Sequence, residues 1–267
     1  MIPISSPTVG RYIYAIVAES EDREYGPIGI DGSTVYIIRN GSIAAVVSDI
    51  NIKKIRPERR HLAAHNAVLK TLMKDATPLP MSFGIVADNS IAVQRILEDN
   101  QEEFAIQIQQ MYGKVEFGLR VLWDVPQIFE YFVQTHPELQ VMRDQMIGGN
   151  RGMTHGDKIE LGQMFAQVID DDRETFTASV EEVLSGYCYE IKRNKPRNEV
   201  EVMHLACLVG RANQAEFEEG VFEAAKQFDN NFTFDYNGPW APHNFVEMTI
   251  KVGQSLEDNS QQSRMKT

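Results

Sequence analysis

Residues that mark secretion, membrane insertion or a disulfide scaffold are scarce in this chain. Its 267 residues include two cysteines, Cys188 and Cys207, and neither lies in a CxxC motif. That usage is typical of the reducing cytosol and argues against a disulfide-based fold. No apolar run reaches the roughly 18 residues that a membrane-spanning helix needs. Residues 1–9 have neither a basic segment nor an apolar core, so no signal peptide is expected there.

Positive charge is also in the minority. Lysine and arginine number 26 against 38 aspartates and glutamates, a formal net charge of −12. This balance disfavours nucleic acid or an anionic lipid membrane as the main partner. Hydrophobic residues at 43% and charged residues at 24% are typical of an ordinary globular protein. The length suffices for one or two domains with a sizeable core.

The first part of the chain predicts a small mixed sheet with helices. Residues 11–18 (RYIYAIVA) are apolar or aromatic on both faces, which indicates a central strand. Asn40-Gly41 between two apolar runs predicts a hairpin. Apolar residues at helical spacing predict one helix from Pro57 to about Lys74 and another from a Ser90 cap to Met111. We expect this N-terminal α+β domain to span residues 1–112.

The remainder predicts a second α+β domain over residues 113–252, followed by a polar tail over 253–267. Residues 114–124 alternate strictly, with Phe117 on the apolar face and Glu116 on the other. Asn213, with Glu216 three residues later, predicts a capping box for the last helix. The predicted elements, in order, are strand 114–124, helices 126–147 and 159–186, strands 187–192 and 200–210, a helix after 213, and strand 232–236. This is the ferredoxin-like βαββαβ plan with an extra helix in the first crossover.

The last predicted strand runs into the segment 237–242 (NGPWAP). Its prolines remove donors and fix the backbone, so we expect the regular ladder to stop after Tyr236 and an extended run to resume at Phe245. Trp240 would stand on a stiff corner. One interpretation is a structural corner that closes the domain; the other is a partner-binding corner with Trp240 and His243 exposed.

Three stretches together resemble the gas vesicle protein F/L family. They are residues 79–86 (LPMSFGIV), preceded by His65 on a helix, residues 115–121 (VEFGLRV), and residues 238–246 (GPWAPHNFV). The likeness runs from about Arg11 to Ile250. The chain departs from the family pattern at Phe117, Ala241, His243 and Asn244, and the segment 152–158 matches the corresponding family loop poorly. The resemblance assigns structural roles to Pro80, Phe83, Gly84, Glu116, Gly238, Pro239, Trp240, Pro242 and Phe245.

That resemblance implies an accessory or minor structural protein of the gas vesicle. Such proteins are needed for vesicle formation and associate with the small, very apolar shell subunit and with other accessory proteins. We therefore expect a non-enzymatic, cofactor-free protein located at the gas vesicle.

Two basic clusters are candidate docking surfaces for an acidic partner, although a solvated face is the favoured interpretation of each. The first is Lys53, Lys54, Arg56, Arg59 and Arg60. The second is Lys192, Arg193, Lys195 and Arg197. Trp240 and His243 complete the predicted partner-binding set.

No catalytic, cofactor-binding or metal-binding residue is predicted. His61 and His65 have a spacing that can bind a metal from one helix face, but HExxH and a third ligand are missing. Residues 148–158 form a glycine-rich loop in which His155 and Asp157 could be an acid–base pair. They lack the phosphate-binding glycine motifs. The alternative function is thus a ferredoxin-like small-molecule sensor or enzyme that uses this loop.

Overall fold

The computed structural model describes residues 9–19, 21–51, 55–148 and 154–251. By the density of its internal contacts the chain divides into two compact units. The first contains the chain up to Glu116 and again from Pro239, and the second contains Phe117–Gly238. This division differs from the limits 1–112 and 113–252 expected from the sequence. The chain returns to the first unit because Ala241 joins that unit's hydrophobic core.

The first unit contains an antiparallel sheet built around β1 (Gly10–Ala18). Its strand order is β2-β3-β4-β1-β5, and β6 also pairs with β1. Tyr12, Ile13, Tyr14 and Ile16 are wholly buried, which confirms the central strand that the sequence predicts. The other strands are β2 (Glu24–Gly26), β3 (Val35–Asn40), β4 (Ile43–Ile50), β5 (Leu79–Pro80) and β6 (Val86–Ala87).

The predicted hairpin is confirmed. Strands β3 and β4 pair from Asn40↔Ile43 onward. Gly41 has φ +62°, a conformation that glycine adopts without steric cost.

Three helices complete the first unit: α1 (Arg59–Leu72), α2 (Ser90–Asp99) and α3 (Gln101–Met111). The single helix predicted from Ser90 to Met111 is wrong, because Asn100 interrupts it. The buried Asn100 amide donates to the carbonyls of Ile96 (2.7 Å) and Lys251 (2.9 Å), and its oxygen accepts from the Lys251 amide (2.8 Å). The cap of α2 is Asn89, whose Oδ1 accepts from the Ala92 amide at 2.9 Å.

The second sheet has four strands in the order β10-β7-β9-β8 and lies mostly in the second unit, while the residues of β7 up to Glu116 and those of β10 from Pro239 belong to the first unit. Strands β7 and β9 are central, and β8 and β10 are the outer strands. The elements in chain order are β7 (Lys114–Trp123), α4 (Ile128–Thr135), α5 (Pro137–Gly148), α6 (His155–Leu184), β8 (Glu190–Asn194), β9 (Glu201–Gly210), α7 (Gln214–Ala225) and β10 (Phe232–Trp240). This is the ferredoxin-like element order with three helices in the first connection. The two sheets and seven α-helices found in the described residues confirm the α+β class.

Two helix predictions in this unit need correction. The helix predicted over 126–147 divides at His136, because Pro137 disfavours helical geometry in the residue before it and begins α5. Asn213 makes no capping bond to an amide. Its side-chain amide donates instead to the Glu216 carboxylate.

The predicted end of the last strand is also wrong. Strand β10 continues past Tyr236 through Pro239 to Trp240. An outer strand tolerates proline because one side of its backbone needs no donor. Residues 246–251 form no strand, so the extended run expected after Phe245 is not part of a sheet. No helix in the described part of the chain combines the length and apolarity needed to span a bilayer.

Candidate functional site

The segment 79–87 follows the edge of β1 in two short pieces with an arch between them. Leu79 and Pro80 pair with Ile16 and Ala15. Val86 and Ala87 pair with Tyr12 and Arg11 at the other end. In the arch, Gly84 has φ +94°, which favours glycine, and its amide donates to the Tyr12 hydroxyl at 3.1 Å. The arch thereby passes over the face of β1 that carries the Tyr12 side chain.

His65 of α1 lies beneath this arch and is 3% exposed. Its Nδ1 is 2.9 Å from the Tyr12 hydroxyl oxygen. Because that oxygen already accepts from the Gly84 amide, the hydroxyl proton is free to be donated to Nδ1. The rings of Tyr14 and Phe83 lie 5.6 and 6.0 Å from the imidazole. The imidazole is thus enclosed on several sides.

The environment of His65 favours its neutral form. Burial, and secondarily the nearby His243, lowers the pKa of His65 from 6.5 to about 4. Burial also lowers the pKa of His243 and raises that of Tyr12. Within the described residues, Nε2 of His65 makes no hydrogen bond of standard geometry, and the Met81 backbone offsets the lowering of the His65 pKa only in part. Adding a proton here would place an uncompensated charge in the core of the first unit.

The corner after β10 closes the same unit. Ala241 and Phe245 are 2% and 5% exposed, and the amides of Phe245 and Val246 both donate to the Pro242 carbonyl at 3.2 Å. Asn244 is clamped by Glu116, which accepts from its backbone amide (2.8 Å) and its side-chain amide (2.6 Å). Glu116 was predicted on the polar face of its strand. It is instead 6% exposed, because Asn244 satisfies both carboxylate oxygens.

The predicted exposure of Trp240 and His243 is only partly observed, because both are half-buried. The Lys70 ammonium lies 4.7 Å from the centre of the Trp240 ring, a cation–π contact. Gly238, with φ +146°, and Pro239 are exposed at the entrance to the corner. A partner-binding role for Trp240 and His243 stays a prediction.

The family model described as "Gas vesicle synthesis protein GvpL/GvpF" matches residues 10–247.

The chain belongs to the GvpL/GvpF family.

Relatives and solved structures agree with this assignment to the GvpL/GvpF family. The chain is 26% identical to gas vesicle protein F of Streptomyces sp. (strain CB03234), over 90% of this chain and 100% of the relative. It is 24% identical to gas vesicle protein F of Nostoc sp. (strain PCC 7120), over 90% and 99%. The crystal structure of GvpF from Anabaena sp. PCC7120 covers 90% of this chain and 99% of its own, with TM-score 0.78 and 23% identity. That of Microcystis aeruginosa GvpF covers 90% and 100%, with TM-score 0.76 and 23% identity.

The resemblance read from the sequence is therefore confirmed, and the protein is a gas vesicle protein. The GvpL/GvpF family is described by its part in gas vesicle synthesis and not by a reaction. Residues from all three stretches that carry the resemblance lie within the first unit: Gly84 in the arch, Glu116 at the start of β7, and Asn244 in the corner. Gly84 bonds Tyr12 of the core, and Glu116 and Asn244 bond each other.

The loop proposed for the alternative function contains a helix start. Residues 149–153 lie outside the described part, and α6 begins at His155. The Asp157 carboxylate accepts from the Thr154 amide at 2.8 Å, and the Thr154 hydroxyl accepts from the Asp157 amide at 3.2 Å. This is a capping box, a structural role for Asp157 that gives the acid–base alternative no support.

His61 and His65 are both buried, and their rings form hydrogen bonds with different residues. Nδ1 of His61 donates to the Arg56 carbonyl at 3.0 Å, and Nε2 lies 3.3 Å from Asp31. No group of three or more histidine, cysteine, aspartate or glutamate side chains suited to a metal occurs within the described ranges.

The first basic cluster is partly neutralised. Lys53 and Lys54 lie outside the described residues, while Arg56 and Arg59 are exposed. Arg60 pairs with Glu58 (2.9 Å) and Asp31 (3.3 Å). Docking of an acidic partner here stays a prediction.

Sequence reasoning missed the partners of Lys70 and Asn100. Lys70 contacts Trp240, and Asn100 bonds Lys251, so each contact joins residues far apart in the chain. The one local signal was a polar Asn100 within an otherwise regular helical pattern, where asparagine competes with backbone hydrogen bonds.

Proposed function

We propose that this protein binds the small, apolar shell subunit of the gas vesicle, acts in vesicle assembly without catalysing a reaction, and is located at the vesicle. The support is its membership of the GvpL/GvpF family together with one structural feature, the long outer strand β10. A small subunit with long apolar strands is prone to aggregate before it is incorporated. A partner that offers a sheet edge could hold it by strand addition.

Strand β10 offers the longest outer edge among the described strands. It contains nine residues and lies at one end of the second unit's sheet. The outer strand β8 at the other end has five residues and bears charges that discourage pairing: Arg193 binds Glu174 (2.7 Å) and Glu181 (2.6 Å). In the first unit, outer strand β2 has three residues.

The orientation of β10 can be inferred from its start. The Asn231 carbonyl accepts from the Asp124 amide at 2.7 Å, so it points toward β7. The Phe232 amide donates to the Asp229 carbonyl at 3.3 Å. Since main-chain groups alternate along a strand, the amides of Phe234 and Tyr236 would point away from β7, toward an added strand. Their side chains still pack inward, as the 5.1 Å between the Phe234 and Phe228 rings indicates.

The test is a pair of substitutions at Phe234. Phe234→Pro removes the outward amide, whereas Phe234→Ala removes the same ring and keeps the amide. We expect Phe234→Ala to bind purified shell subunit nearly as wild type does, and Phe234→Pro to bind about tenfold more weakly, since one main-chain hydrogen bond and close approach are lost. Binding is measured by surface plasmon resonance, and folding by circular dichroism.

Equal affinity of two folded Phe234 variants would remove strand addition at β10 as the mechanism. If wild-type protein fails to bind shell subunit at all, the wider proposal of direct contact is refuted.

A further inference from the structure

A cavity of about 520 Å³ lies in the second unit under the loop that connects β8 to β9. Ligand pockets for small molecules are typically about 300–1,000 Å³. The walls are the middle of α6, the end of β8, the loop itself and the start of β9. The residues used below are Arg173, Lys195, Arg197, Val202, His204 and Leu205.

One side of the loop is tied down by Arg173 of α6. Its Nη2 donates to the carbonyls of Asn198 (3.0 Å) and Glu199 (3.1 Å), and its Nε donates to the carbonyl of Glu201 (3.1 Å). Two of these charge-assisted bonds hold the loop and the third holds the first residue of β9, so together they fix the path of the loop.

The base of the loop is held by the buried carboxylate of Glu201, which has no solvent-exposed surface. It accepts from Arg120 Nε at 2.6 Å and from the Arg197 amide. Burial alone would raise the pKa of Glu201, but the Arg197 amide and the Arg120 guanidinium outweigh it and hold this pKa below its usual range. The Arg197 backbone is therefore positioned before any ligand arrives.

Two cations at the cavity remain without a counter-ion. Asp170 pairs with Arg173 at 3.0 Å, and Glu174 pairs with Arg193 at 2.7 Å. Within the described part of the chain, the side chains of Lys195 and Arg197 form no ion pair, and both residues are exposed. Unpaired cations around a concave site are notable in a chain of net charge −12.

The remaining lining complements those charges. His204 is half-buried and can offer a ring N–H, while Val202 and Leu205 supply apolar surface at the floor. Glu199 is a lining carboxylate that forms no ion pair with any cation in the described ranges. The balance of the side chains is thus cationic at the mouth and apolar below.

We propose that this cavity binds a phosphate-bearing small molecule of nucleotide size through Lys195, Arg197 and His204. Guanidinium and ammonium groups bind phosphate oxygens by charge-assisted hydrogen bonds. The apolar floor gives room for an organic moiety that a bare phosphate would not need. This site is separate from the β10 edge, so its test does not depend on shell binding.

The test is isothermal titration calorimetry of the full chain with ATP at low ionic strength, with inorganic pyrophosphate as competitor and adenosine as neutral comparison. We expect ATP to bind and pyrophosphate to displace it. The double variant Lys195→Ser/Arg197→Ser should bind about 100-fold more weakly, because two charge-assisted contacts are removed. The control Lys158→Ser/Lys226→Ser removes two exposed helix cations and should bind as wild type does.

Absence of ATP binding at millimolar concentration would overturn the proposal. So would equal affinity in the Lys195/Arg197 double variant, failure of pyrophosphate to compete, or binding of adenosine as tight as that of ATP. Circular dichroism of both double variants establishes that they are folded, so that a lost signal reports the site and not the fold.

Discussion

The buried imidazole of His65 predicts that the first unit loses stability in acid. In the unfolded chain a histidine binds a proton near pH 6.5, but in the folded protein the pKa of His65 is about 4. Between these values the unfolded state holds more protons than the folded state. Stability is therefore fully present above about pH 6.5 and falls as the pH is lowered toward 4.

The size of the effect follows from the two pKa values. A difference of about 2.5 pH units at 1.36 kcal/mol each corresponds to about 3 kcal/mol when His65 is fully protonated in both states. From pH 7.5 to pH 5.0 the expected loss is about 2 kcal/mol. Protonation would also remove the acceptor of the Tyr12 hydroxyl, so the buried cluster would lose a hydrogen bond as well.

The two tryptophans allow the first unit to be followed by itself. Trp240 lies in the first unit and Trp123 in the second. In a Trp123→Phe background, Trp240 fluorescence during urea unfolding reports the first unit at pH 7.5 and at pH 5.0. His65→Gln removes the titrating ring. We expect its loss of stability between the two pH values to be about 2 kcal/mol smaller than that of the parent.

The matched control is His155→Gln. His155 is exposed in the first turn of α6, so this variant should lose stability on acidification as the parent does. If the parent and His65→Gln show the same change between pH 7.5 and 5.0, then His65 is not the buried neutral group described above and the reasoning is refuted.

Two further predictions concern the arch and the corner. Gly84→Ala should destabilise the first unit by about 1–2 kcal/mol because of the positive φ of Gly84. Gly162→Ala in α6 meets no neighbour within 4 Å and should instead stabilise its unit by up to about 1 kcal/mol; equal effects in thermal unfolding would contradict this. Glu116→Gln should cost about 1–2 kcal/mol in Trp240-detected urea unfolding, because the charge that accepts both Asn244 bonds is lost. An unchanged midpoint of urea unfolding would show that the two hydrogen bonds between Glu116 and Asn244 contribute little to stability.

Local patterns were enough to predict most strands. Residues 11–18 are apolar on both faces because β1 has a strand on each side and is covered on both faces. Asn40-Gly41 indicated its hairpin because few residues other than glycine adopt the required turn geometry. The helix break at His136 could also have been predicted from the sequence, because Pro137 follows it.

Contacts between distant segments were beyond that kind of reasoning. Glu116 alternates with buried Phe117, so the period of two assigns it to the polar face. Its burial depends on Asn244, 128 residues later, and a sequence pattern does not reveal which distant group will satisfy a carboxylate. Asn100 is a second example. It interrupts the helix locally, but the Lys251 backbone that its side chain bonds lies 151 residues later in the chain.

The distribution of the motif residues bears on where partners should be sought. Tyr12, Gly84, Glu116 and Asn244 use their polar groups on one another or on His65, so substitutions there would act on the first unit's stability before they acted on a partner. Strand addition, by contrast, engages main-chain amides that every residue except proline possesses. A surface that binds in this way needs no distinctive side chains. The lack of a recognisable motif over residues 232–237 of β10 is therefore compatible with strand addition, and it makes the comparison of Phe234→Pro with Phe234→Ala more informative than replacement of any motif residue.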